Sequence, residues 1–199
     1  MASQWTIVAK ARNDFADMLD GLSSDQLATQ SLCDEWSVLD VGGHLVSLVE
    51  LSKLQMVGGI AKHRGNADEF LSIKAKEFAS LGAPALSKIL RAKAGQPMKP
   101  YSEASLVNDT AVHHFDAARP LGLSNVLDDL VLTTALDFSA RELAKKLKDT
   151  PVRLEATDRD WSHGDGAIVS GSGEALLLAL NARDARSEIT GDGIGLLPG

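Results

Sequence analysis

The apolar residues change period once along this chain, and that change limits the possible folds more than any other feature. Up to about residue 150 they recur at intervals of three and four, the spacing of amphipathic helices. After Pro151 the stretch "PVRLEAT" sets Val152, Leu154 and Ala156 at period two, as a strand does. A bundle of helices followed by a small mixed unit is the arrangement this pattern allows.

Helix-start signals subdivide the first part. Residues 4 to 20 put Trp5, Val8, Ala9, Arg12, Phe15, Ala16 and Leu19 on one helical face. Ser23 with Gln26, and Ser37 with Asp40, have the spacing of capping boxes. The second of these precedes "VLDVGGHLVSLVELSKLQMV", a helix expected to run to about Val57 and to stop at Gly58 and Gly59. Asn66 with Glu69 opens another, interrupted at Gly82-Ala83-Pro84 and resuming as "PALSKILRAKA". "GQPMKP" is a loop, residues 102 to 118 are helical, and Pro120 with Gly122 ends them. "NVLDDLVLTTALDFSARELAKKL" is a long helix with apolar residues at 127, 130, 131 and 138. Beyond the strand, "AIVSG" is a second strand, "SGEALLLALNARDARSEI" a helix and "TGDGIGLLPG" a glycine-rich tail. Residues 1–150 are thus expected to form a helical bundle, and residues 151–199 a hairpin-plus-helix cap packed on it.

Composition narrows the classes of function. Hydrophobic residues make up 44% and charged residues 24% of 199, enough for a core that needs no structural metal, so a metal here would serve chemistry. Twenty basic against 27 acidic residues give a net charge of −7, and no basic stripe exists to track a nucleic-acid backbone. The longest apolar run, "EALLLALNA", is too short to span a bilayer. The N-terminus lacks the apolar stretch of a signal peptide. A single cysteine, Cys33, suits a reducing compartment, and a cytoplasmic location is expected.

His44 lies on the face of its helix that also carries Val41, Leu45 and Leu48, so the imidazole faces an interior where it needs a hydrogen-bond partner or a metal. Gly42 and Gly43 beside it would allow close approach of another helix or of a ligand. Asp109 and His113, four residues apart, project from one side of their helix. They can form a simple Asp–His pair or share a divalent cation. His114 points roughly 100° away from His113, so the two are not expected to bind the same ion, and one of them is expected to support the site or line a pocket. Spacing alone does not bring His44 to His113. His63 is expected in solvent, and His163 at the edge of a pocket.

Three separated motifs together resemble one family. "CDEWSVLDVGGHL" is similar to the pattern C-x-x-W-x-V-x-D-V-x-x-H-L, "DTAVHHFDAARPLGL" to E-x-x-V-H-x-x-D-x-R-R-P-L-G, and "ATDRDWSHGDG" with its following apolar helix to T-D-x-x-W-x-x-G-x-G, all of the mycothiol-dependent maleylpyruvate isomerase family. The resemblance implies a mostly α fold, the DinB-like four-helix bundle with a small C-terminal β-hairpin-plus-helix cap. It implies His44 and His113 as metal ligands, with Asp109 where the family has a glutamate one methylene longer. It implies Arg183 as the group that holds an anionic substrate; Ala182 stands in place of the family's glycine. Two imidazoles and one carboxylate leave a coordination position open, as in catalytic zinc sites. The cofactors implied are a divalent metal, zinc by preference, and mycothiol or a similar thiol as cosubstrate. The thiol would add to a small electrophile in an isomerisation or an S-transfer.

Other readings are weaker. Cys33 sits among acids in "SLCDEW", which disfavour a thiolate nucleophile. Trp36 and Trp161 are expected to be packing anchors. "GDGIG" does not follow a strand and open a helix, so a dinucleotide site is rejected. Asp116 is expected to hydrogen-bond a ligand histidine or to cap Arg119, the first by preference. A metal-dependent hydrolase would need a base, and Asp40, the nearest acid, is expected to cap its helix instead. A non-catalytic binding or stress-response module of the same fold is the main rival, and an exposed apolar helix face would make the protein a homodimer.

Overall fold

The structure, a computed structural model, describes residues 4–98, 101–123, 127–148 and 150–198. The expected start of the long helix at residues 125 and 126, and the last two residues of "GQPMKP", lie outside them. The chain packs as two compact units, one of Met1–Glu103 with Asp116–Val126, the other of Ala104–Phe115 with Leu127–Gly199.

In the first unit, α1 (Gln4–Asp20), α2 (Ser24–Leu27) and α3 (Val38–Glu50) follow the sequence signals closely. Both capping boxes form: Ser23 Oγ accepts from Gln26 N, and Ser37 Oγ from Asp40 N, with the reciprocal bonds present. Here the expected second helix divides in two. Helix α3 stops at Glu50, and α4 (Lys53–Lys62) starts anew from Ser52, whose side chain and backbone engage Gln55 in a third capping box. Gly58 and Gly59 therefore lie inside a helix and do not end one. Helices α5 (Ala67–Ala79) and α6 (Ala83–Ala92) occur as expected, with Asn66 capping the first and Pro84 in the first turn of the second.

The core of this unit gathers Phe15 and Leu19 of α1, Val38, Val41, Leu45 and Val46 of α3, and Leu86 and Leu90 of α6. Helices α3 and α5 lie against each other along their lengths. Gly43 makes that possible, because a Cβ there would stand 2.0 Å from the carbonyl oxygen of Ala75 and 2.7 Å from the Ala79 nitrogen. Backbone cannot yield as a side chain would. Gly43→Ala is expected to cost about 2 kcal/mol as the helices separate, whereas Gly42, which faces the Leu19 and Leu86 methyl groups, should cost less. Urea midpoints of the two variants give the comparison.

In the second unit, α7 (Glu103–Ala118) contributes residues 104–115. The long helix α8 (Asp129–Leu147) starts from the Asp128 side chain, which accepts from Leu130 N. Its buried stripe is Val131, Leu132, Ala135, Leu136, Ser139, Ala140 and Leu143; Leu130, expected on that stripe, is 47% exposed. Strand β1 (Val152–Ala156) pairs antiparallel with β2 (Ser162–His163) and parallel with β3 (Ala167–Gly171); β4 (Ile189–Thr190) pairs antiparallel with β3, for an order β2-β1-β3-β4. The hairpin partner of β1 is thus the loop segment around His163. "AIVSG" runs parallel to β1, since the ten residues between them carry the chain back before the third strand begins. Helix α9 (Gly173–Leu180) packs on α8, and Ala175 to Leu180 are buried on every side. It ends nine residues sooner than the expected helix, which ran to Ile189.

Candidate functional site

His44 stands in the first unit on α3 and is 5% exposed. The Ser37–Asp40 box fixes the start of its helix: Ser37 is the N-cap, and Asp40 Oδ2 accepts from Ser37 N at 2.9 Å and from Ser37 Oγ at 2.7 Å, so the Asp40 carboxylate is engaged in the capping box as expected. The ring of Trp36 lies 5.0 Å from the His44 ring, tilted by 36°. Trp36 is held in turn by its indole N–H, which donates to Ser72 Oγ on α5 at 3.0 Å. This tryptophan anchors packing, as expected, and it also forms one wall beside the imidazole. Trp161 of the second unit is anchored similarly, donating to Asp137 Oδ1 at 2.9 Å, with His163 stacked on it at 6.5 Å.

Asp109 and His113 are one turn apart on the α7 segment of the second unit. Asp109 Oδ1 and His113 Nε2 are 3.8 Å apart, with the imidazole 12% exposed and the carboxylate 36%. That is too long for a direct hydrogen bond. Two atoms each about 2.1 Å from a zinc ion are at most roughly 4.2 Å apart, so the pair meets the requirement for two neighbouring ligands of one cation. The donor types, nitrogen and carboxylate oxygen, also suit zinc, nickel and iron.

His114 turns away from that pair into the interior. It is 1% exposed, edge-on to the Phe115 ring at 6.0 Å. Burial pushes its pKa down to about 4 from the ordinary 6.5, so it is neutral in the folded protein at physiological pH. The unfolded chain takes up that proton first. Stability is therefore intact above pH 6.5, falls as the pH drops towards 4, and loses nothing further from this group below that. The shift corresponds to roughly 3 kcal/mol. Urea unfolding of His114→Gln should show a shallower decline over the same window.

Arg183 follows α9. Asn181 caps that helix, donating from Nδ2 back to the Leu177 carbonyl at 2.8 Å, and Ala182 then takes a left-handed φ of 59°. Glycine adopts that conformation without the strain a Cβ brings. Ala182→Gly should raise stability by about 0.5 kcal/mol, the left-handed strain relieved less the added freedom of the unfolded chain; a lower melting temperature would contradict it. The Arg183 Nη1 donates to the Asn181 carbonyl at 2.9 Å. Asn181 itself belongs to a closed triangle that no local sequence pattern announces. Ser139 Oγ donates to Asn108 Oδ1 at 2.7 Å, Asn181 Nδ2 to Ser139 Oγ at 2.9 Å, and Asn108 Nδ2 to Asn181 Oδ1 at 3.1 Å. The turn bearing Arg183 is thereby tied to α8 and to α7 beside Asp109.

The remaining candidates make the following contacts. Cys33 Sγ donates to Oδ2 of the wholly buried Asp116 at 3.1 Å, and the Asp116 carbonyl accepts from Leu32 N at 2.9 Å, so acid and thiol fasten the loop before α3 to residue 116. His63, expected in solvent, is half-buried at the end of α4, with Nδ1 3.1 Å from Glu69 Oε1. Among the described residues no helix is long and apolar enough to cross a membrane.

Comparison with known proteins gives the same direction. No curated protein matches the chain. A crystal structure of a mycothiol-dependent maleylpyruvate isomerase superposes with a TM-score of 0.62 at 13% identity, covering 95% of this chain and 91% of that one. A histidine-to-alanine mutant of the mycothiol-dependent maleylpyruvate isomerase superposes at 0.57 with 12% identity and the same coverage. At such identity the likeness is one of fold: mostly helical with a small C-terminal sheet. The model of the mycothiol maleylpyruvate isomerase N-terminal domain matches residues 8–169, most of the length, and the chain belongs to that family.

Proposed function

We propose that this protein is a divalent-metal enzyme that uses mycothiol, or a similar small thiol, to isomerise or S-conjugate a small anionic electrophile. His44, Asp109 and His113 are the proposed ligands, and Arg183 the proposed anion-binding group. The observation that carries the reading is the Asp109–His113 pair, two metal-compatible donors 3.8 Å apart on one turn of helix, in a member of a family described by mycothiol and maleylpyruvate. Buried His44 adds a third donor of the right type.

A bound divalent cation of net positive charge would stabilise the thiolate form of an incoming thiol near neutral pH. The chain's own residues do the rest. The guanidinium of Arg183 matches a carboxylate in a way an ammonium does not, and the Asn108–Ser139–Asn181 triangle limits its range by holding the turn it springs from. Trp36 covers one side of His44 with an apolar ring, which keeps water from that face. Zinc and a cytoplasmic location complete the proposal.

The second reading, a non-catalytic binding module, is favoured by Asp109, whose shorter side chain reaches less far than the family glutamate. Purification without chelator, followed by metal analysis and a mycothiol-conjugation panel that includes maleylpyruvate, separates the two. Near-stoichiometric metal with thiol-dependent turnover supports the enzyme. Metal without turnover leaves the binding module, and a protein that neither holds nor takes up a divalent cation ends the metal reading.

A further inference from the structure

Helix α4 contributes no fully buried residue, yet a cleft of about 460 Å³ lies along it and α5, within the range of small-molecule sites. Leu51, Leu54, Phe70 and Ile73 supply apolar lining, and Gly58 and Gly59 open it on the α4 side. Gly59 lies directly on the Phe70 ring, where a Cβ would stand 2.1 Å from Cε2; at Gly58 a Cβ would meet nothing within 4 Å. Two glycines in mid-helix weaken α4; Phe70 takes the space beside Gly59 and forms the floor, and the space beside Gly58 stays open. Leu54 is 82% and Ile73 46% exposed, so apolar surface remains in water at the mouth.

The rim is basic in a chain of net charge −7: Lys62, His63 and Lys74 line it. Glu69 engages His63 at 3.1 Å and Glu77 engages Lys74 at 2.5 Å. Lys62 has no ion-pair partner among the described residues. An apolar trough ending at an uncompensated ammonium fits a molecule with an aliphatic body and one anionic end. The trough is concave and the chain acidic, which favours a soluble ligand over an anionic bilayer.

We infer that this cleft binds a medium-chain aliphatic carboxylate, its tail along Leu54, Phe70 and Ile73 and its head on Lys62. None of the proposed metal ligands lies in this stretch, so the site stands or falls independently of the metal reading.

Titration calorimetry of the full chain with octanoate tests it, with 1-octanol as the neutral control and phosphatidylglycerol vesicles in a sedimentation arm. Octanoate should bind saturably at one site per chain, with octanol weaker. Lys62→Glu should weaken octanoate about tenfold by replacing attraction with repulsion. Gly58→Leu should fill the trough and remove binding while α4 gains helix propensity. Absence of saturable octanoate binding into the millimolar range overturns the inference. So does octanol binding equally well, either variant binding like the wild type, or capture by vesicles without octanoate binding.

Discussion

Alanine at His44 or at His113 is expected to take the protein from near one equivalent of divalent metal to less than about a tenth. Losing a ligand exceeds the 10- to 100-fold affinity loss that follows from disturbing a group that merely supports one. The fold should survive both changes. His44 sits on a helix held by Val38, Val41, Leu45 and Val46, and His113 is not part of a helix end or turn, so far-UV circular dichroism should be nearly unchanged. Asp109→Glu extends the carboxylate by one methylene towards the family pattern and should keep or strengthen retention. His114→Ala should leave metal content alone and change stability instead, because that ring points elsewhere. Metal loss in the His114 variant, with retention in the His113 variant, would mean that the wrong histidine of the pair has been assigned. Elemental analysis of the four variants decides the matter.

Those assignments depended on signals that act over one or two helical turns. The Ser37–Asp40 box, the apolar face around His44 and the four-residue step from Asp109 to His113 are such signals, and the structure contains all of them. The same kind of signal was present at Ser52 and Gln55, where α4 begins, but the apolar residues on both sides continue without a break and the glycine pair beyond invites a stop. Local hydrogen bonds at Ser52 outweighed the hydrophobic continuity. Helix α9 shows the converse: Asn181 and Ala182 stop it although alanine has no preference for a left-handed φ, because Asn181 is held by Ser139 and Asn108, which are 42 and 73 residues away in sequence. Pairing of β1 with β3 in parallel was equally out of reach, since alternation gives a strand's faces and not its neighbour. What the sequence withholds in each case is a contact between residues far apart in the chain.

Arg12 is where such a distant contact should have its largest effect on stability. Its place among the apolar positions of α1 is legible in the sequence, and a charged group there needs a compensating partner. The structure supplies one at the end of α6. A guanidinium only 3% exposed donates from Nη1 towards the carbonyls of Lys93, Ala94 and Gln96, at 3.2, 2.8 and 3.1 Å. These oxygens follow the last turn of α6, where the helix dipole is negative and the carbonyls lack intrahelical donors. Arg12→Leu would conserve much of the side-chain volume and remove the donors, leaving carbonyls that water does not easily reach. The expected loss is about 4 kcal/mol, or roughly 8 to 16 °C in melting temperature for a chain of this size. Arg12→Lys retains the charge but not the planar fork and should fall between the two. Double mutation with a truncation in α6 should be less than additive, because the second change acts on a helix end already loosened. A leucine variant within about 1 kcal/mol of the wild type would show that α6 ends equally well without the guanidinium, and that packing of Leu86 and Leu90 alone holds it to α1.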